Sequence, residues 1–192
     1  MSAFNVLNLG ILLRNYDESI ISQKMLEFDC PNNSEINDFF HNKAIGSVQR
    51  HQTATFLVVD NQNQINGFYS LTHKSLEVSA ANLSKTYTKK IAMYSDYDES
   101  KKSYYISAFL IAQFGKNANI SKDSVISGDE MMNIVLEHLR TVRDEIAGNL
   151  VYLECEDNEI LLNFYSKNGF VKFGERYSEI ENVNYIQMLR FL

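Results

Sequence analysis

Residues 158–170 read Asn-Glu-Ile-Leu-Leu-Asn-Phe-Tyr-Ser-Lys-Asn-Gly-Phe. Asn158 is a helix N-cap residue, an apolar run follows it, and Gly169 ends the helix, because glycine takes the left-handed backbone of a C-terminal cap at little cost. Phe170 then returns the chain to a core. Tyr165 stands about one turn before that glycine, so its hydroxyl is available to a cleft at the end of the helix. Strands are expected on both sides, over 151–154 and 170–177, with a last one from Tyr185 to the end.

Working back from this stretch, residues 128–147 place Met131, Val135, Leu139, Val142 and Ile146 on one helical stripe, which Gly148 and Asn149 stop. Residues 104–114 form the most apolar segment of the chain and predict a central strand buried on both faces, ending at Gly115. The runs 55–59 and 65–71 flank the polar turn 60–64 and predict an antiparallel hairpin. Between them and the central strand, residues 79–102 are a polar excursion with room for a short helix, carrying Lys85, Lys89 and Lys90 and then Asp96, Asp98 and Glu99.

Near the N-terminus, residues 5–13 are a short apolar run that suits a strand. A helix over 17–28 follows Asp17 as N-cap and ends before Pro31. A second helix starts at Ser34, with Ile36, Phe39, Phe40 and Ala44 on one side. The order is strand, two helices, three strands, helix, strand, helix, two strands, which is a mixed α/β fold with a partly antiparallel sheet.

A chain of 192 residues is the size of one domain. Its net charge of −6, from 24 acidic and 18 basic side chains, repels phosphate backbones on average and counts against a nucleic-acid partner, though it leaves room for a local basic patch. Cys30 and Cys155 are too few for a disulfide framework and lack zinc spacing, and both suit buried thiols in a reducing cytoplasm. No metal is expected, since His41, His51, His73 and His138 lie in unlike surroundings. There is no basic leader, and no apolar run of the roughly 20 residues that cross a bilayer, so no membrane role is expected.

This order resembles the GNAT acyl-CoA N-acyltransferase fold, a mixed central sheet flanked by helices, along essentially the whole chain. Two stretches sharpen the likeness. Phe28-Asp29-Cys30, followed by Asn33, Ile36, Phe39, Phe40 and Ala44, then residues 53–59 and Gly67-Phe68-Tyr69-Ser70-Leu71, is similar to the N-terminal half of the branch that includes toxins acetylating aminoacyl-tRNA. Residues 158–170 are similar to the superfamily's final helix, which ends in a tyrosine four residues before Gly-Phe.

The resemblance implies an N-acetyltransferase that moves an acetyl group from acetyl-CoA directly to a primary amine, with Tyr165 giving a proton to the departing thiolate. It implies that Phe114, Gly115 and Lys116 border the pantetheine arm, and that Ser124, Ile126, Ser127, Gly128 and Asp129 meet the diphosphate at a helix start. Asn158, an adequate cap without any ligand, lies beside the same cleft.

The family loop reads R/Q-x-x-G-x-G/A. Here Asp123-Ser124-Val125-Ile126-Ser127-Gly128 keeps only the last glycine, puts Asp123 where a basic or amide residue is usual, and is followed by Asp129 and Glu130. Lys116 and Lys122 are candidates for compensating charge.

Glu154 and Glu156 are candidates to take the amine proton through water, and exposed strand carboxylates explain them equally well. Three functions stay open: acetylation of a small-molecule or protein amine, a toxin-like acetylation of aminoacyl-tRNA with an antitoxin partner, and a silent GNAT-fold binding protein. A homodimer is compatible with each.

Overall fold

The computed structural model describes residues 4–120, 125–179 and 181–192. In chain order, β1 is Phe4–Asn8, α1 Leu9–Asn15, α2 Glu18–Met25 and α3 Ser34–Asp38, which runs through a π-helical turn at Phe39–Lys43 into α4, Ala44–Gln49. The hairpin is β2, Ala54–Asp60, with β3, Ile65–Ser79. The polar excursion holds a 3₁₀ turn at Ala80–Asn82, α5 at Lys85–Ile91 and β4 at Asp96–Asp98. Then come β5, Ser103–Lys116; α6, Gly128–Ile146; β6, Leu150–Glu156; α7, Glu159–Lys167; β7, Val171–Ser178; and β8, Val183–Phe191.

The described strands form one mixed sheet in the order β1-β2-β3-β5-β6-β8-β7, with β4 antiparallel to β5. The parallel pair β5/β6 is registered at only two positions, Phe109 with Val151 and Leu110 with Tyr152. From Leu153 onward β6 keeps its partner β8 but has no registered position on β5.

Two readings of the sequence are corrected. The apolar run 5–13 is not one strand: the chain leaves β1 at Asn8, whose side chain accepts the Ile11 amide at 3.2 Å and caps α1. Leu9, Leu12 and Leu13 then face the core at helical spacing, while Ile11 points outward. The strands closed on both faces are β2 and the first half of β3, whereas β5 leaves Tyr104, Tyr105 and Ser107 partly open.

The chain falls into two compact units. The first comprises Met1–Thr72 and Ile111–Val135, the second His73–Leu110 and Leu136–Leu192. The core of the first packs Leu9, Ile21, Met25, Phe28, Phe40, Leu57, Val59 and Phe68, with Phe40 stacked on Phe68 at 4.2 Å between ring centroids. The core of the second packs Leu76, Val78, Ile91, Ile106, Leu150, Tyr152, Phe173 and Leu189. Among the described residues no helix is long and apolar enough to cross a membrane, and no group of His, Cys, Asp and Glu is placed to hold a metal.

Candidate active site

In the second unit, α7 is built as its sequence dictates. The Asn158 side chain accepts the Ile160 amide at 2.9 Å, Glu159 occupies the positive end of the helix, and Lys167 the negative end. The exit is a Schellman motif: the Gly169 amide donates to the Ser166 carbonyl at 3.0 Å, and the Phe170 amide to the Tyr165 carbonyl at 3.0 Å. Gly169 has φ +81°, the conformation that makes glycine the residue of choice here. The motif's customary apolar contact is Phe170 against Tyr165, edge to face at 5.9 Å. Arg190 seals the end, donating from Nη1 to the Asn168 carbonyl at 2.6 Å and lying over the Phe170 ring.

This exit fixes Tyr165, which is 8% exposed and packed between Phe164 and Phe170. Burial, with a smaller contribution from Cys155, pushes its phenol above the ordinary tyrosine range. Burial also pushes the Cys155 thiol up to about 11, helped by Asp157 and Glu156. The two groups share a dry neighbourhood on one face of β6.

Alternation puts Glu154 on the opposite face of β6 from Cys155. There it accepts from Arg176 Nε at 2.8 Å and Nη2 at 2.7 Å, and from Gln187 Nε2 at 2.8 Å, while Arg176 also lies over the Tyr185 ring. Glu154 is thus engaged with β7 and β8. Glu156 is exposed two residues further on.

In the first unit, Phe114 and Lys116 are half-buried on either side of buried Gly115, and the three residues are the end of β5. A Cβ at Gly115 would lie 2.6 Å from Ile36 Cγ2, 3.0 Å from Phe68 and 3.2 Å from Phe28. The glycine's smallness is used by the core, which presses three side chains onto the strand backbone.

Asn117 follows, 4% exposed, and ties β5 to two neighbours. Its Oδ1 accepts the Asp29 amide at 2.9 Å, its Nδ2 donates to the Ile65 carbonyl at 2.7 Å, and its own amide donates to the Asn66 carbonyl. Asn66, 1% exposed, accepts the Ile126 amide on its Oδ1 at 3.4 Å. The Phe28-Asp29-Cys30 turn is held further by Asn37 Oδ1 on the Cys30 amide and by His41 Nε2 at the Phe28 carbonyl. Sequence reading passes over both Asn66 and Asn117.

The start of α6 is closed by a capping box. The Ser127 amide donates to Glu130 Oε2 at 2.9 Å, and the Glu130 amide donates to Ser127 Oγ at 3.1 Å. Hydrogen bonds to the carboxylate from the Ser127 side chain and the Ser127 amide, with a lesser effect of Lys116, hold the Glu130 carboxyl below its ordinary range. Ile126 is fully buried, Gly128 and Asp129 form the first turn, and Ser124, with Lys122 and Asp123, lies outside the described residues. Tested against a CoA diphosphate, the described amides do not fit the usual pattern. Those of Ser127 and Glu130 are taken by each other's side chains, that of Ile126 faces Asn66, and the first turn carries two carboxylates, with Lys116 near enough to act on Glu130.

No family model matches the sequence, and no curated protein matches it. Among solved structures, the toxin AtaT complexed with acetyl-methionyl-tRNAfMet superposes with a TM-score of 0.61 at 18% identity, covering 95% of this chain and 93% of that one. A tyrosine-to-phenylalanine mutant of AtaT, bound to the C-terminus of the antitoxin AtaR and acetyl-CoA, gives 0.64 at 12% identity, covering 99% and 94%. The NatC complex bound to Gag peptide and CoA gives 0.51 at 13%, covering 100% and 99%. The chain therefore has the GNAT acetyltransferase fold over its whole length and resembles the AtaT toxin structures in that fold.

Proposed function

We propose that the chain is an acyltransferase that moves an acetyl group from the thioester of acetyl-CoA to a primary amine, with Tyr165 as general acid. The observation that supports this most is the Schellman exit of α7, which fixes a buried phenol beside Cys155. The AtaT and NatC structures that share the fold hold acetyl-CoA and CoA.

Acetyl-CoA supplies the acetyl group as a thioester. The chain's own contribution is a proton held at Tyr165 Oη for the sulfur that leaves when the amine attacks. A phenol raised by burial is a weaker acid, which alone would disfavour this transfer. Burial disfavours a thiolate as it does a phenolate, as at Cys155, so a thiolate expelled beside Tyr165 is a stronger base as well. Glu154, committed to Arg176, takes no part in this scheme, and the proton lost by the amine goes to solvent.

The test is thiol release from acetyl-CoA with a panel of amines. Tyr165→Phe is expected to lower kcat by about 10²–10³-fold with the melting temperature little changed. Full activity in that variant would remove Tyr165 from the mechanism, and no thiol release with any amine would remove the function.

A second acceptor, the amino group of aminoacyl-tRNA, is favoured by the likeness to AtaT and by α5, which carries the exposed side chains of Lys85, Lys89 and Lys90. The net charge of −6 opposes it. Growth arrest on expression, relieved by Tyr165→Phe or by an antitoxin, is the outcome this acceptor predicts.

A further inference from the structure

We infer that Glu130 is a specificity-determining carboxylate that competes with the diphosphate of a CoA donor for the first turn of α6. The inference rests on the acetyltransferase reading above and concerns only how the donor is held. A helix start attracts anions because its first amides lack partners within the helix and its dipole is positive there. In this chain the anion is already supplied. Glu130 Oε2 sits on the Ser127 amide at 2.9 Å, and Ser127 Oγ occupies the Glu130 amide at 3.1 Å. The Ile126 amide is directed at Asn66 Oδ1, from a residue that is itself fully buried.

A diphosphate that takes the Ser127 amide must displace one carboxylate and approach a turn that carries a second, Asp129. Both Glu130 and Ser127 are exposed, so the displacement is feasible, and its cost falls on the phosphates and not on the pantetheine arm. A donor is therefore recognised mainly through its thioester and arm, and the negative charge of its nucleotide end weakens its binding.

Glu130→Gln isolates the charge, because glutamine can also accept the Ser127 amide in a capping box and keep the helix start formed. Calorimetry compares CoA, dephospho-CoA and pantetheine on the wild-type chain and on E130Q. Dephospho-CoA keeps the diphosphate and lacks the 3′-phosphate, whereas pantetheine lacks both.

The expected result is that E130Q binds CoA and dephospho-CoA about tenfold tighter, the scale of one charge-assisted hydrogen bond in competition, and binds pantetheine within about twofold of wild type. The gain should shrink in high salt. Equal gains for all three ligands, or no gain for the two nucleotides, would overturn the inference and leave the acetyltransferase reading standing. A gain confined to CoA would assign Glu130 to the 3′-phosphate and overturn the diphosphate assignment. Binding of none of the three by either protein would overturn the acetyltransferase reading, and the inference with it.

Discussion

Asn117 joins three segments of the first unit through one side chain. It accepts the amides of Asp29 and Asn119, and it donates to the carbonyl of Ile65. Asn117→Ala strips the partner from the buried Ile65 carbonyl, which costs about 1–3 kcal/mol when left unpaired, and from the part-buried amides of Asp29 and Asn119. The melting temperature is expected to fall by roughly 5–10 °C, at about 2–4 °C per kcal/mol for a chain of this size. A loss below about 2 °C would mean that water replaces the side chain. Nothing in the sequence marks Asn117, since asparagine in a polar loop is ordinary turn chemistry and its partners lie far away along the chain. Tyr165 is legible for the opposite reason: its cap, its glycine and its returning phenylalanine are neighbours in sequence. Its place beside Cys155 is not legible, because the composition suits a buried thiol there without saying which element packs against it.

Elements whose signals are local were readable. Asp17, Asn33 and Asn158 each cap the helix that follows by accepting a backbone amide. The run 5–13 misleads because a short apolar stretch suits a strand or a buried helix equally, and only the Asn8 cap with Leu9, Leu12 and Leu13 on one side decides. Gly115 is a subtler case. The resemblance reserves its open backbone for a ligand, whereas the structure fills the space over it with Ile36, Phe68 and Phe28. Gly115→Ala should therefore destabilise the fold by about 1–3 kcal/mol, the cost of forcing a methyl into a packed core. The measurement is the shift in urea midpoint at unchanged slope. A variant as stable as wild type, but unable to bind pantetheine, would return the glycine to the ligand.

Across the whole molecule, the titrating groups fall into two sets that oppose folding at opposite ends of the pH scale. Asp17, Asp38, Asp98, Glu130 and Glu175 all lie below the ordinary carboxylate range because hydrogen bonds favour their charged forms. The unfolded chain takes up their protons first, so their stabilisation is present above about pH 4.5 and is lost as pH falls through the folded values. Asp17, Glu130 and Glu175 are exposed, Asp38 and Asp98 are partly so, and each contributes little. His138 acts earlier on the same side: burial lowers its pKa, the unfolded chain protonates first near pH 6.5, and stability declines from there.

At the alkaline end the sign reverses. Burial raises Cys155 to about 11 and lifts the phenols of Tyr69, Tyr152 and Tyr165, so the unfolded chain ionises first and stability falls as pH rises. The thiols of Cys155 and Cys30, both raised by burial, set the onset, since an unfolded cysteine ionises near pH 8.5 and an unfolded tyrosine near 10. Thermal melts should therefore show a plateau between about pH 7 and 8.5, well above the isoelectric point near 5.2. Replacing Cys155 by alanine should lower the plateau, because a packed side chain is truncated, and make the decline between about pH 8.5 and 10 shallower, leaving the share of Cys30. An alkaline decline as steep in that variant as in wild type would show that the thiol beside Tyr165 is not what senses the rising pH.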